Sequence, residues 1–382
     1  MGSLLNRITK NKSEDVIKNK PFFKEKKILT TNYEHYDYYF ANEKATKLSI
    51  YDIYKLKDIN DSFYLAYPTF RNKKVVKILK YNFINKTTIE KAIINLSSFP
   101  IKIKYFYDQI QNKEKLFILL KGKMRIFLIK NDSQYEEETN RIEINTYDKI
   151  HDFEIIYDKY KKINYLIISN FYSYFGGRNG NIISIYKFIE NEIEIINEYK
   201  TGDWGVVNSK RQKIFLIWEN KLTQNFYIIT SNYTGLKFME IIGKGDENIC
   251  DFGVASSENF DKNEFNFFGC IIYNINNTDY LYICNICSDI DALIIIDLYK
   301  KEIISKITFI KDITSIIDWN HKYIIISTLK YIYTFDTKIN KIINKYLINT
   351  NGEIISIKKI NVVKNCPFSL SVDTTDGKIT II

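Results

Sequence analysis

The sequence predicts an all-β fold: a β-propeller of seven four-stranded blades, its ring closed by an N-terminal strand pairing with the C-terminal blade. Three observations carry this. Leu293 to Ile307 (LIIIDLYKKEIISKI) returns 39 residues later as Ile332 to Tyr346 (IYTFDTKINKIINKY), with Asp297 on Asp336, Ile303 on Ile342, Ile304 on Ile343 and Lys306 on Lys345. Each copy is an apolar strand ending in aspartate, a polar turn and a second β-rich run, without a helical apolar period. A hairpin recurring at about 40 residues is the signature of stacked β units, most often propeller blades. The length agrees, since seven units of roughly 40 to 50 residues consume nearly all 382 residues. Finally, Asp376 to Ile382 (DGKITII) reads as a third strand with no fourth after it, which would leave an unpaired edge of the kind folded proteins avoid or cover.

The repeated unit resembles the WD40 repeat. Ile296-Asp297 and Phe335-Asp336 stand where that family has Trp-Asp, although neither copy has the tryptophan and no Gly-His opens either repeat. The resemblance implies a rigid scaffold that binds proteins through its loop faces and rim, without a cofactor. It also implies closure by an N-terminal strand. The favoured donor is Lys27 to Tyr33 (KILTTNY), because the other candidate, Leu48 to Tyr54, already serves as a first strand.

A chain that is 45% hydrophobic and 15% aromatic has ample material for a core. Only four prolines and 14 glycines are available for many turns, so Asn and Asp must supply much of the turn chemistry. The formal charge is +10. Half of it lies in residues 1 to 27, where eight Lys/Arg face three acids, and the rest of the chain is interspersed at 47 basic against 42 acidic. That pattern, in a chain rich in Lys, Asn, Ile, Tyr and Phe, reads as compositional and argues against a nucleic-acid footprint.

In order along the chain, residues 1–27 read as a basic arm, and 28–382 as a single propeller. Gly2 in Met1-Gly2-Ser3 is a candidate lipidation site, although Asn6 departs from the myristoylation pattern. An acyl chain beside a polybasic segment is the usual pairing for a membrane anchor; an ordinary initiator sequence and a free tail is the plainer reading. The first blade uses 48–54, 62–67, 74–80 and 88–95. The second uses 101–108, 115–120, 124–130 and 141–147, with Glu136-Glu137-Glu138 as a solvated hairpin tip. The third uses 150–157, 163–170, 182–189 and 193–199, with a long loop at 171–181. The fourth uses 204–208, 213–219, 225–231 and 235–242, leaving one strand-like piece, Ile249 to Ala255, unplaced. The fifth uses 265–274, 279–285, 292–298 and 302–309; the sixth 313–318, 322–328, 330–336 and 340–347; the last 353–360, 367–372 and 377–382.

Catalytic signatures are lacking. His35, His151 and His321 lie far apart, without neighbours at metal-ligand spacing. Cys284 and Cys287 sit in a strand-like run, where residues three apart face opposite ways. They read as buried reduced thiols of a cytoplasmic protein. Gly176-Gly177-Arg178-Asn179-Gly180 has no helix after it to bind phosphate. The paired arginines of phosphoinositide-binding propellers are missing there too.

In WD40-like propellers the loop from strand two to three and the connection to the next blade share a face. That places Tyr172, Tyr174, Phe175 and Arg178 beside Asp203 and Trp204, as candidate anchors for a protein partner. The alternative is that the aromatics pack between blades. The expected function is therefore a non-catalytic scaffold for protein–protein interaction within a larger complex. The second function reading is a lipid- or phosphoinositide-binding propeller that meets the membrane peripherally through residues 1–27.

Overall fold

The computed structural model of the chain describes residues 27–30, 36–38, 46–48 and 50–382, except 70–73, 121–122, 139–141, 144–148, 174–178, 190–191, 201–213, 232–234, 243–245, 252–265, 288–289, 309–312, 320–321, 349–350 and 361–368. Their strands form seven four-stranded antiparallel blades, each built by consecutive pairing outward from an inner first strand.

Blade 1 is Asp52–Tyr54, Ser62–Pro68, Val75–Asn82 and Thr87–Asn95. Blade 2 is Pro100–Asp108, Lys113–Leu120, Lys123–Asn131 and Gln134–Glu137, with Ile142–Glu143 also pairing the third strand. Blade 3 is Lys149–Asp158, Ile163–Ser173, Asn179–Ile189 and Glu192–Lys200; blade 4 is Ile214–Asn220, Asn225–Ser231, Gly235–Glu240 and Asp246–Asp251. Blade 5 is Asn266–Ile275, Thr278–Cys287, Ile290–Asp297 and Glu302–Thr308; blade 6 is Ile313–Trp319, Tyr323–Thr328, Tyr331–Asp336 and Lys341–Leu347. Blade 7 takes Ile354–Ile360, Ser369–Thr374 and Lys378–Ile381 from the end of the sequence and Lys27–Thr30 from its start. A separate hairpin joins Tyr36–Tyr38 to Thr46–Leu48.

The burial gradient across each blade follows from the composition of its strands. Second strands are apolar runs buried on both faces, such as Ser62–Pro68 and Tyr323–Thr328, because both sides of the sheet meet a neighbouring blade. Fourth strands lie at the rim and alternate with solvent, as in Lys341–Leu347. The core is accordingly a set of inter-blade clusters. One joins Phe117 and Met124 of blade 2 to Phe153 and Leu166 of blade 3. Another joins Trp218 and Phe238 of blade 4 to Leu281 and Ile296 of blade 5. Each inner strand packs on the inner strands of its two neighbours, and Ile354–Ile360 packs on Asp52–Tyr54, so the ring is complete. The inner strands of blades 2 to 7 all carry a register shift near their start, for example between Pro100 and Lys102 and between Ile313 and Ser315. Such a bulge increases local twist and bends a strand.

Closure follows the expected donor. Lys27 pairs with Ile381, Ile28 with Thr380 and Thr30 with Ile379. The repeated aspartates are also where the repeat put them. Asp297 and Asp336 end the third strands of blades 5 and 6, and Ile303 and Ile342 occupy equivalent rungs, opposite Ile296 and Phe335.

Turn chemistry falls to Asn and Asp as expected. Six turns share one plan, in which an Asx residue ends a strand and its Oδ1 accepts backbone N–H groups two and, in five of them, three residues on. The six are Asn82, Asp108, Asp158, Asn220, Asp297 and Asp336. Four residues after each stands a left-handed residue: Lys86, Asn112, Lys162, Gln224, Lys301 or Asn340. The side-chain acceptor fixes the turn, and a non-glycine residue bears the left-handed conformation.

Two expectations are corrected. Glu136-Glu137-Glu138 is not a solvated tip: the hairpin turns earlier, at Asp132-Ser133, and Glu136 and Glu137 belong to the fourth strand, opposite Leu128 and Phe127. The acids are accommodated because cations face them, with Arg125 Nε 2.6 Å from Glu137 and Lys115 Nζ 3.2 Å from Glu138. Of the expected fourth strand at 141–147, Ile142–Glu143 pairs against Met124 and Lys123, and 141 and 144–147 lie outside the described residues. In blade 4 the frame moves by one strand. Ile214–Asn220 is the inner strand, and Asp246–Asp251, overlapping the unplaced piece, is the outer one. An outer strand buries little, so its acidic residues break the apolar pattern by which strands are recognised. Residues 204–208 lie outside the described residues.

Candidate functional site

Of the anchors named from sequence, Tyr172 lies in the second strand of blade 3, with its backbone opposite Gly180. The loop is shorter than expected, because the strands continue to Ser173 and resume at Asn179. Tyr174, Phe175, Arg178, Asp203 and Trp204 lie outside the described residues, as does Gly2. The ends of the two connections share one end of the blade: Asn170 pairs with Ile182, and Ile182 in turn with Lys200.

A second constellation, not named from sequence, runs along the inner strands. Lys102 and Lys104 of blade 2 face Asp152 and Glu154 of blade 3. Lys102 Nζ binds the Asp152 carboxylate, donates to the Phe153 carbonyl at 2.8 Å and reaches Glu154 at 3.2 Å; Lys104 binds the other Glu154 oxygen. On the far side of blade 1, Lys358 of blade 7 donates to the Tyr51 carbonyl and stands 3.8 Å from Asp52, whose other oxygen accepts the Tyr105 backbone N–H at 2.7 Å. Lys359 adds a contact to Asp318 of blade 6 at 3.3 Å. Ion pairs and hydrogen bonds therefore link the inner strands from blade 6 through blades 7, 1 and 2 to blade 3.

The electrostatics separate these groups. Burial pushes the Glu154 carboxyl up, but Lys102 and Lys104 outweigh it and hold it at about 2. Burial likewise opposes the charge on Lys102, and Asp152 and Glu154 outweigh it and hold the ammonium above its usual range. These two stay ionised through the neutral range and cannot exchange protons there. Lys358 is displaced the other way: burial lowers its pKa, Lys102 and Lys104 add to that, and Asp52 and Asp373 compensate only in part. The alternation was legible as Lys-x-Lys in one inner strand and Asp-x-Glu in the next. Its importance was not, because only the ring brings strands 50 residues apart edge to edge. Among the described residues no cluster of three or more His, Cys, Asp or Glu could hold a metal ion, and no helix is long and apolar enough to cross a membrane.

No protein-family model matches the chain, and no curated protein matches it. Solved structures do. Sqt1 of Saccharomyces cerevisiae superposes with a TM-score of 0.54 at 8% identity, covering 92% of this chain and 99% of that one. BBS1N, solved in complex with ARL6DN, superposes at 0.54 with 10% identity over 84% of this chain and 86% of that one. With the four-stranded blades, the aspartates ending third strands and the borrowed closing strand, these whole-length superpositions decide the architecture. The chain folds as a seven-bladed β-propeller. The S. cerevisiae core factor aligns with this propeller at a TM-score of 0.52 and 10% identity, covering 87% of this chain and 56% of that one. At such identities the likeness is one of fold.

Proposed function

We propose that this propeller is a non-catalytic scaffold that binds other proteins within a larger complex, needing no cofactor. The observation that carries this reading is the closed ring itself. Inner strands clamped by ion pairs and hydrogen bonds across blades 6, 7, 1, 2 and 3 make a rigid body whose connections can present side chains, and binding residues concentrate on loops held by such scaffolds. BBS1N, similar in fold, was solved with a protein bound. The proposed anchors are Tyr172, Tyr174, Phe175, Arg178, Asp203 and Trp204. The register of Asn170, Ile182 and Lys200 supports this by starting both connections from one end of blade 3. Aromatic and arginine side chains are the types that dominate interface energetics.

The test is affinity purification of the tagged chain from its native cell, comparing wild type with Trp204→Ala and Arg178→Glu. The proposal expects a defined set of partner proteins to be lost from both variants, while their thermal unfolding matches wild type. Retention of every partner, or a melting temperature several degrees lower for Trp204→Ala, would assign these residues to packing instead.

A further inference from the structure

One end of the propeller carries the connections from first to second and from third to fourth strands. The ends of successive blades touch there: Lys57 Nζ meets Tyr107 Oη at 2.8 Å, Asn164 meets Asp108 at 2.9 Å and Tyr160 meets Glu219 at 2.7 Å. The connections described at this end are 55–61, 83–86, 109–112, 132–133, 159–162, 221–224, 241–242, 276–277, 298–301, 322 and 337–340. They hold eleven lysines, no arginine and no glutamate, against three aspartates. Of those three, Asp132 is already engaged by Lys80 and Lys91. The connections described at the opposite end are 69, 74, 96–99, 138, 329–330, 348, 351–353 and 375–377. They hold two lysines against three acids. Among the described connections the positive charge is therefore polarised along the ring axis.

The same lysine-rich end presents aliphatic side chains at its turns. Ile84 and Leu222, each third in its Asx turn, are 80% exposed, and Ile110, Ile242 and Ile339 are exposed as well. The Asx acceptor and the left-handed residue fix these turns, so the side chains are held out at the turn apices.

The N-terminal arm joins this end. Lys378–Ile381 leaves the opposite end at the turn 375–377, and its antiparallel partner begins with Lys27 opposite Ile381. Residue 27 is thus delivered to the lysine-rich end, and the 26 residues before it carry seven Lys/Arg against three acids.

We propose that this end of the propeller docks on an anionic lipid bilayer, with Ile84, Leu222 and their neighbours entering the headgroup region and the lysines around them facing acidic lipids. Charge complementarity and the form of the apolar surface both point there. Protein interfaces deplete lysine and concentrate aromatics and arginine in a contiguous apolar centre. Here single aliphatic tips are separated by lysines around a ring, as suits a planar bilayer in which each tip inserts separately and lysine stems lie along the boundary. The inference uses the end opposite the proposed protein-binding connections, so the two fail independently.

The test is co-sedimentation of the full chain with phosphatidylcholine vesicles, with and without phosphatidylserine. Binding is expected only with phosphatidylserine. It should weaken about fivefold for each lysine neutralised, in Lys161→Gln and Lys162→Gln, as expected of lysines near an anionic surface. Ile84→Ser with Leu222→Ser should remove the part of the binding that persists at high salt, whereas Lys330→Gln, at the opposite end, should leave it unchanged. All five positions are exposed at turns, and unchanged melting curves would confirm intact folding. Failure of the wild type to sediment with phosphatidylserine vesicles overturns the proposal. So does equal weakening by Lys330→Gln. Silent aliphatic substitutions combined with lysine-dependent capture of polyglutamate would likewise overturn it and assign the face to an acidic polypeptide.

Discussion

Trp218, in the inner strand of blade 4, donates its indole N–H to Asp279 of blade 5 at 3.1 Å, across the boundary between the two blades. Asp279 is buried and also accepts from Asn274 Nδ2 at 2.6 Å and Tyr299 Oη at 3.0 Å. Burial alone would push its carboxyl up, but the three donors outweigh it and hold the pKa below the usual range. Blades 2 and 3 carry the same link with donor and acceptor exchanged, Asn164 of the second strand of blade 3 donating to buried Asp108 of the inner strand of blade 2 at 2.9 Å.

Asp279→Ala should therefore strip three donors of their acceptor. The expected loss is about 2 to 4 kcal/mol in urea unfolding, with Trp218→Phe costing about 1 to 2 kcal/mol. A loss under about 0.5 kcal/mol for Asp279→Ala would show that water replaces the carboxylate.

Acid sensitivity should trace to Glu154. Its folded pKa, about 2, lies below the ordinary glutamate value of 4.5, so its contribution is complete above the unfolded value and is lost as pH falls from 4.5 toward 2. That contribution is on the order of 3 kcal/mol at neutral pH. Stability measured across this window should fall less steeply for Glu154→Gln than for wild type, from a lower neutral-pH starting point. Parallel pH profiles would mean that the pair with Lys102 and Lys104 is solvated.

Left-handed Lys162, with φ 54°, should respond to substitution by backbone conformation rather than by charge. Lys162→Gly is expected to raise stability by up to about 1 kcal/mol, and Lys162→Val to lower it by more, since a β-branched residue tolerates this region poorly. Thermal melts that rank Val above Gly would contradict the turn plan.

The closing strand supplies a truncation test. Removing residues 1–20 should leave unfolding unchanged. Removing 1–36 uncovers the edge of Lys378–Ile381, where Ile379 and Ile381 are buried. A loss of roughly 3 kcal/mol or more, or aggregation, is expected. Equal stability of the two truncated chains would mean that the edge is covered by some other segment.

The fold was legible where the sequence repeats itself. The Asp297 and Asp336 hairpins, the frames of five of the seven blades and the donor KILTTNY follow from strand pattern, turn spacing and the need to cover an edge. The failures share a physical cause. Gln134–Glu137 and Asp246–Asp251 are the outer strands of their blades and carry acids where the apolar pattern should be; in blade 2 the cation Arg125, which meets Glu137, is visible only once strands pair. The lysine-rich end was invisible for a different reason. Its residues are scattered in sequence a few at a time, and only the ring gathers them.

Closure through Lys27 and Ile381 also sets a timetable for biosynthesis. The segment 27–30 precedes its hydrogen-bonding partner by some 350 residues in the chain. At about 5 to 20 residues per second, it waits on the order of 20 to 70 s as an unpaired strand, while blade after blade assembles beside it. Throughout that interval blade 1 has one open side, since its neighbour in blade 7 does not yet exist. The nascent propeller is thus a growing arc with two sticky flanks. The edges and apolar flanks that the finished ring covers are exposed until Lys378–Ile381 is made.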